Sequence, residues 1–399
     1  MWLNYLLNLS EDERPVDTIK TLRQVKTHKY IVQKNINNLF QKYQLDIESD
    51  KIISHLLSSP INDSGRLTKS NEFGEFVSPV SFQHGIGGIL IYIARLSKLQ
   101  KHSEIKKWCL KLNKEDRRIF LHRYSLLFGK AGYLWGILDL YEKNNDEYLY
   151  MISTNTVEKI ISNYPALNEV DFALGKAGVL LVTMKYYSLF PDSKIELFIK
   201  HNITELSEKL ASILIQENPE MSFAHGASGI AHVLYAYSKL FNDDFFIPQI
   251  EAFSNQLSTF VLKQMSNLEH LDQLELSWCE GISGLLLYLS LVNNEKYKKM
   301  TSDIQSKMVK NSLCMGTSFC HGLSSLLQTT IYNNNIDVFE QIKTILLSRS
   351  FRDEHDLLVF QSEDGKNNYF DFGIGTLGIY WVLLGNRFPF ELNFKNNTR

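Results

Sequence analysis

Apolar runs recur along the chain and alternate with more polar stretches. Ile89 to Leu96, Tyr133 to Tyr141, Val179 to Tyr187, Ile230 to Tyr237 and Leu285 to Leu291 are apolar nearly all round a helical wheel, which predicts helices buried on every side. Lys194 to Gln216, Ile250 to Met265 and Tyr297 to Asn311 are amphipathic and predict an outer layer with one buried face. The pattern is therefore all-α.

Each apolar run follows a Gly-x-x-Gly pair: Gly85/Gly88, Gly129/Gly132, Gly175/Gly178, Gly226/Gly229, Gly281/Gly284 and Gly375/Gly378, with a seventh copy at Gly322 that carries Ser325 in second place. Successive first glycines lie 44, 46, 51, 55, 41 and 53 residues apart, a period that suits one helical hairpin per step. Seven copies predict seven inner and seven outer helices. Glycine at a helix start allows close backbone approach or unusual dihedrals, and seven such starts at one end would frame a crowded central site. Neither terminal repeat looks like a polar cap, which favours a closed α/α-toroid over an open solenoid. The expectation is one domain over 1–399, with core repeats at about 81–384 and no linker dividing them. Residues 58–80 hold few apolar side chains and several turn formers, including Pro60, Asn62, Asp63, Ser64 and Gly65. They are the expected loop region, and a mobile one.

Composition narrows the functional classes. With 44% hydrophobic and 22% charged residues the chain has ample material for a core, and its net charge of -2 offers no basic field for nucleic acid or anionic membrane. Trp2 to Leu9 are largely apolar but have no basic residue ahead of them and meet Glu11, Asp12 and Glu13 at once, which is not a signal-peptide pattern. No window reaches the roughly 18 apolar residues of a membrane span. A cytoplasmic protein is the expectation, and for a long chain in a reducing compartment its four cysteines pose a question of metal binding or catalysis before one of disulfides.

The candidate chemistry lies just ahead of the glycines. His84, His225 and His321 each precede one directly, and Cys279 and Cys320 each stand two residues before one. In a closed barrel equivalent positions fall at one height, so Cys279, Cys320 and His321 can converge. Two thiolates and an imidazole suit zinc, and three protein ligands leave a fourth position open for water or substrate. Either cysteine alone would read as a small buried hydrophobe; the matched pair with an attached histidine points to metal. Cys109 and Cys314 lack this context and are read as structural. His225 shares the register of His321, and Asp171 precedes Gly175 by four residues, where it is equally a helix cap or a catalytic group. His84 is read as structural or supporting.

With these motifs in hand, the chain resembles the lanthionine synthetase C family over about Ser81 to Leu384. Trp278-Cys279-x-Gly281-x-x-Gly284, Cys320-His321-Gly322 and Ser222-Phe223-Ala224-His225-Gly226 carry the resemblance. It implies a seven-plus-seven toroid, zinc on Cys279, Cys320 and His321, and catalytic roles for His225 and Asp171. The implied activity is zinc-dependent addition of peptide cysteine thiols to dehydroalanine or dehydrobutyrine, closing thioether rings in a dehydrated lanthipeptide precursor. His225 would then protonate the enolate, and Asp171 would orient it or accept the thiol proton. The resemblance also implies work with a dehydratase and an ABC exporter, peripheral to the membrane and without insertion into it. Members of the nisin-cyclase type have an arginine and a tyrosine where Glu275 and Glu280 stand here. Two other readings are a zinc prenyltransferase-like barrel, which would need an aspartate ligand and a basic diphosphate pocket, and a non-catalytic zinc-containing scaffold that binds peptides.

Overall fold

The computed structural model describes residues 45–61, 66–96, 102–114, 122–266, 273–310, 315–361 and 368–392. Trp2 to Leu9, residues 62–65 and Cys314 lie outside them. Among the described residues, seven helices start at a glycine-marked turn: α3 (Ile86–Leu96), α5 (Lys130–Asn144), α7 (Lys176–Leu189), α9 (Ala227–Phe241), the first half of α12 (Ile282–Met308), α13 (Leu323–Asn333) and α15 (Thr376–Leu383). They alternate with α1 (Leu45–Ser58), α4 (His102–Lys114), α6 (Glu147–Asn163), α8 (Ser193–Leu214), α10 (Ile247–Gln264), the second half of α12 and α14 (Ile336–Ser348). Two short helices, α2 (Glu72–Phe76) and α11 (Gln273–Leu276), sit in the connections. The protein is an α/α-toroid, with the first set inside and the second outside.

Burial follows the patterning. In α7 every residue from Ala177 to Tyr186 is buried, whereas α8 buries only Ile199, Ile203, Leu206, Leu210 and Ile213, a single stripe at steps of four and three. Asp146 and Asp192 cap outer helices by accepting from two backbone N–H groups each. Asn145, Asn242 and Asn334 end inner helices in the left-handed conformation. The fifth inner and outer helices run on as α12, kinked at Asn293. An unanticipated hairpin of β1 (Ser350–Arg352) and β2 (Leu358–Phe360) fills part of the last, longer repeat.

The glycines act by close approach. Six of the first glycines have extended φ values, from -104° at Gly375 to -137° at Gly129, and Gly85 is not among the positive-φ glycines, so unusual dihedrals are not the reason for them. At Gly175 a Cβ would collide with the Glu169 carbonyl oxygen, because that oxygen accepts from Lys176 N–H and draws the turn tight. The second glycine makes room for the neighbouring repeat: a Cβ at Gly229 would lie 2.5 Å from Cβ of Phe172, and one at Gly88 2.5 Å from Cβ of Phe372. The latter contact joins the last repeat to the first.

The ring closure is explicit in the backbone. At the position two before each first glycine, Gln83 N–H donates to Leu127, Leu127 to Ala173, Ala173 to Ala224 and Ala224 to Cys279; at that turn the adjacent Trp278, three before Gly281, donates to Cys320, then Cys320 to Gly373, and Gly373 back to Gln83. These seven bonds span 2.9–3.1 Å and form one closed circuit, so no edge remains unpaired. One position earlier stand Phe82, Leu126, Phe172, Phe223, Trp278, Phe319 and Phe372, all buried. The six aromatic rings among them meet around the axis, as at Phe172–Phe223 (5.1 Å) and Phe319–Phe372 (5.2 Å), with Phe388 and Phe390 packed below. Burial of each such ring contributes about 2–3 kcal/mol, and together they make a dry floor under the turns.

Candidate active site and metal centre

Each turn uses the same local device. Four residues before the first glycine, a side-chain oxygen accepts from the backbone N–H three residues on: Ser81 from His84, Ser125 from Phe128, Asp171 from Leu174, Ser222 from His225, Ser277 from Glu280, Ser318 from His321 and Asp371 from Ile374. The bond holds the turn as an Asx or Ser turn and presents the residues one and two before the glycine. Asp171 is therefore a turn-former and not the helix cap, a place held by Gly175. A serine performs this task with one oxygen. An aspartate does it with Oδ1 and keeps Oδ2 for something else.

At Asp171 that something is His225: its Nδ1 lies 2.9 Å from Asp171 Oδ2. A carboxylate only accepts, so Nδ1 carries the hydrogen and Nε2 is the nitrogen left for proton transfer. Burial works to lower the His225 pKa, but the hydrogen bond and charge of Asp171, with charge from Cys279 and Glu280, raise it above the ordinary histidine value. The side chain is 34% exposed, against 9% for Asp171.

Cys279, Cys320 and His321 come together as the sequence predicts. One donor atom from each lies within 4.8 Å of the others, and they are the one group of three or more potential metal ligands among the described residues. Hydrogen bonding from Cys320 outweighs burial and, with His321 and Ser277, pulls the Cys279 thiol down to about 4. Ser277 Oγ is 3.5 Å from Cys279 Sγ. Two soft sulfur donors, one of them readily ionised, and one imidazole fit a thiophilic ion such as zinc. The backbone circuit sets the trio beside His225: Ala224, next to His225, donates to the Cys279 carbonyl.

Glu275 and Glu280 are both exposed. Glu280 acts on the site through its charge on His225. Cys109 is buried beside Tyr133, and burial pushes its thiol up to about 11, in keeping with a structural role. His84 is 2% exposed, with Nδ1 3.4 Å from Asp371 Oδ2. Asp371 does not stand out in the sequence, yet Asp371-Phe372-Gly373-Ile374-Gly375 repeats the Asp171-Phe172-Ala173-Leu174-Gly175 frame, a signal that register alone could have supplied.

A closed toroid whose inner-helix turns hold two thiols, an imidazole and an Asp–His pair defines a class: α/α-toroids with a candidate metal centre at one mouth. Residues 76–384 match the family described as lanthionine synthetase C-like protein. The chain belongs to that family. Among solved structures it is similar to nisin cyclase, with a TM-score of 0.59 and 16% identity, covering 86% of this chain and 94% of that one. At that identity the likeness speaks for the fold. No curated protein matches it by sequence. No helix among the described residues is long and apolar enough to cross a membrane.

Proposed function

We propose that this protein is a zinc-dependent cyclase that forms lanthionine or methyllanthionine rings in a dehydrated precursor peptide. The observation that carries this reading is the convergence of Cys279, Cys320 and His321 one backbone hydrogen bond away from the His225–Asp171 pair. Cys279, Cys320 and His321 would hold the ion. Zinc bound there would act as a Lewis acid that favours the thiolate form of a substrate cysteine, whose free thiol has a pKa of about 8.5.

The remaining chemistry falls to the chain. The substrate sulfur adds to the β-carbon of the dehydro residue, the Cα=Cβ electron pair moves toward the carbonyl, and the α-carbon then needs a proton. His225 supplies it from Nε2, and Asp171 fixes its orientation and favours the protonated ring through Nδ1. A proton delivered by a fixed acid reaches one face of the α-carbon, which sets its configuration. The aromatic floor beneath the turns excludes water from below, and Glu280 adds a small negative charge that, with the larger effect of Asp171, favours the protonated form of His225.

Under this reading the substrate is a lanthipeptide precursor already processed by a dehydratase, and the product passes to an ABC exporter, with the protein cytoplasmic and peripheral to the membrane. A prenyltransferase-like role is less well supported: the converging donors are Cys, Cys and His, and Glu275 and Glu280 flank Cys279 with negative charge. A passive peptide-binding scaffold would have no use for an Asp–His pair set beside the converging donors. The test is incubation with a dehydrated, cysteine-containing precursor followed by alkylation and mass spectrometry. Loss of free thiols without change of mass supports the cyclase; thiols that all remain alkylatable exclude it.

A further inference from the structure

The circuit of turns holds a second Asp–His pair in the same register as the first. Asp171 and His225 stand four before and one before the first glycines of adjacent repeats, and so do Asp371 and His84 across the ring closure. Asp371 Oδ1 accepts from Ile374 N–H at 3.0 Å, and its Oδ2 faces His84 Nδ1 at 3.4 Å. Of the seven turns, only these two replace serine with aspartate, and each aspartate meets a histidine. Asp371 has no exposure at all. A carboxyl group so placed calls for hydrogen-bond partners on both oxygens, and the imidazole is the side chain set against the second one.

The two pairs flank the candidate metal centre in ring order. Ala224, beside His225, is bonded to Cys279, while Gly373, two residues after Asp371, is bonded to Cys320. Seven hydrogen-bonded steps of about 4.8 Å make a circuit roughly 34 Å around and roughly 11 Å across, so one peptide loop laid over it spans both pairs and the thiols. What separates the pairs is cover. Helix α2 lies over His84, with Phe73 edge-on to both His84 (5.8 Å) and Phe128 (5.3 Å), and Phe128 stacked on the imidazole at 6.0 Å.

The cover is lightly held. α2 has five residues and buries one of them, Gly74; Phe73 is 44% and Phe76 65% exposed. Its main tether is the buried Arg66 guanidinium, which donates to the Val77 and His84 carbonyls and pairs with Glu75. Ser70 Oγ lies 3.2 Å from His84 Nδ1. Held by Arg66 and by the buried Val77 at its end, α2 is a small unit that can open without unfolding the toroid. The groups facing His84 are then Asp371 from the last repeat, Ser70 and Phe73 from the cover, and Phe128 from the next turn.

We propose that His84 and Asp371 are a second acid–base pair of the same peptide site, uncovered when α2 lifts, which accepts the proton that the substrate thiol gives up. The proposal rests on the cyclase reading. Addition has two proton tasks, and the ring offers two Asp–His pairs. The thiol proton goes to His84 Nε2, and the Asp371 carboxylate stabilises the imidazolium through Nδ1–H. The sulfur pair forms the S–Cβ bond, the Cα=Cβ pair becomes the enolate, and His225 gives its Nε2 proton to Cα. One proton leaves the substrate and one enters, and the two imidazoles re-equilibrate with water.

Two measurements on the zinc-loaded full chain test this. In the first, cyclisation is followed from pH 6.5 to pH 9 for wild type, His84→Asn, Asp371→Asn and His225→Asn. The asparagine of Asp371→Asn keeps the oxygen that Ile374 N–H needs, so the turn survives. The His84 and Asp371 variants should be slower by roughly 10²-fold at pH 6.5, with the deficit closing toward pH 9 as the thiol ionises unaided. The His225 deficit should not close. A deficit equal at every pH, or none, overturns the proposal. In the second, diethyl pyrocarbonate labelling of His84 is read by mass spectrometry, with Phe73→Ala and with a dehydrated peptide whose cysteine is alkylated and cannot cyclise. Both should raise labelling several-fold, and unchanged labelling in both overturns the proposal whatever the folding of the variants. Wild type that consumes no thiols defeats the cyclase reading, and the dependent proposal with it; normal wild-type turnover with pH-flat variants defeats only the second pair.

Discussion

Replacing Asp171 by asparagine isolates the electrostatic half of the His225 pair. The new amide oxygen would still accept from Leu174 N–H, which now bonds Asp171 Oδ1 at 2.6 Å, so the turn should hold. At the other branch an NH2 group would face Nδ1 in place of an acceptor 2.9 Å away, and an imidazolium Nδ1–H would then meet a donor. A charge-assisted hydrogen bond is worth about 1.5–3 kcal/mol. The His225 side chain is 34% exposed, so solvent screening brings the expectation to the lower end, about 1.5 kcal/mol, or about tenfold in the acid dissociation constant of the imidazolium. The His225 pKa, raised in the wild type, should fall accordingly, because burial alone lowers it. Stability has a definite sign too. A raised native pKa stabilises the fold below the ordinary histidine value of about 6.5, and that contribution is lost as pH rises through the native value. The wild type should therefore out-melt Asp171→Asn most clearly in acid, with the gap narrowing above neutrality. Two-dimensional NMR of the histidine Cε1–H groups gives the titration, and thermal denaturation across pH gives the stability gap. An unchanged His225 titration, or a gap that widens with rising pH, would refute the reasoning.

Other outcomes follow from the same geometry. The isolated protein should bind about one zinc per chain, and Cys279→Ala and Cys320→Ala should each abolish it by elemental analysis; full zinc in both variants would remove the metal centre. His225→Asn should keep helicity and zinc while cyclisation falls by roughly 10²- to 10⁴-fold, and residual product should carry mixed α-carbon configurations by chiral chromatography. Gly229→Ala would drive a methyl into the Phe223 carbonyl and to 2.5 Å from Phe172 Cβ, so chemical denaturation should show a loss of about 3 kcal/mol or more. Gly385→Ala has open space but φ of +74°, and its cost should be about 1–2 kcal/mol from backbone strain alone.

Inner and outer helices, their number and their alternation were legible because burial imposes a local period: all-round apolar for α7, one stripe for α8. The convergence of Cys279, Cys320 and His321 was legible because they sit at equivalent or adjoining places in adjacent copies of a short motif. Other features were less so. The glycines stood out, but whether they served dihedrals or contacts could not be read until Phe372 was seen against Gly88 and the Glu169 carbonyl against Gly175. Residues 58–80, rich in turn formers, hold a short helix anchored by a buried arginine, since one guanidinium can satisfy several backbone carbonyls that no hydrophobic pattern announces. The role of Asp171 as cap or catalyst stayed open because both use the same residue type; two carboxylate oxygens, one on Leu174 N–H and one on His225, resolve it as a turn-former that also holds a histidine.

By itself, then, the sequence determined the repeat, the helical layers and the register of every candidate side chain, because each depends on residues within a turn or two of one another. Only the tertiary structure decided which registers meet. Asp371 and His84 are 287 positions apart, and they pair because seven backbone hydrogen bonds close the circuit and bring the last repeat against the first.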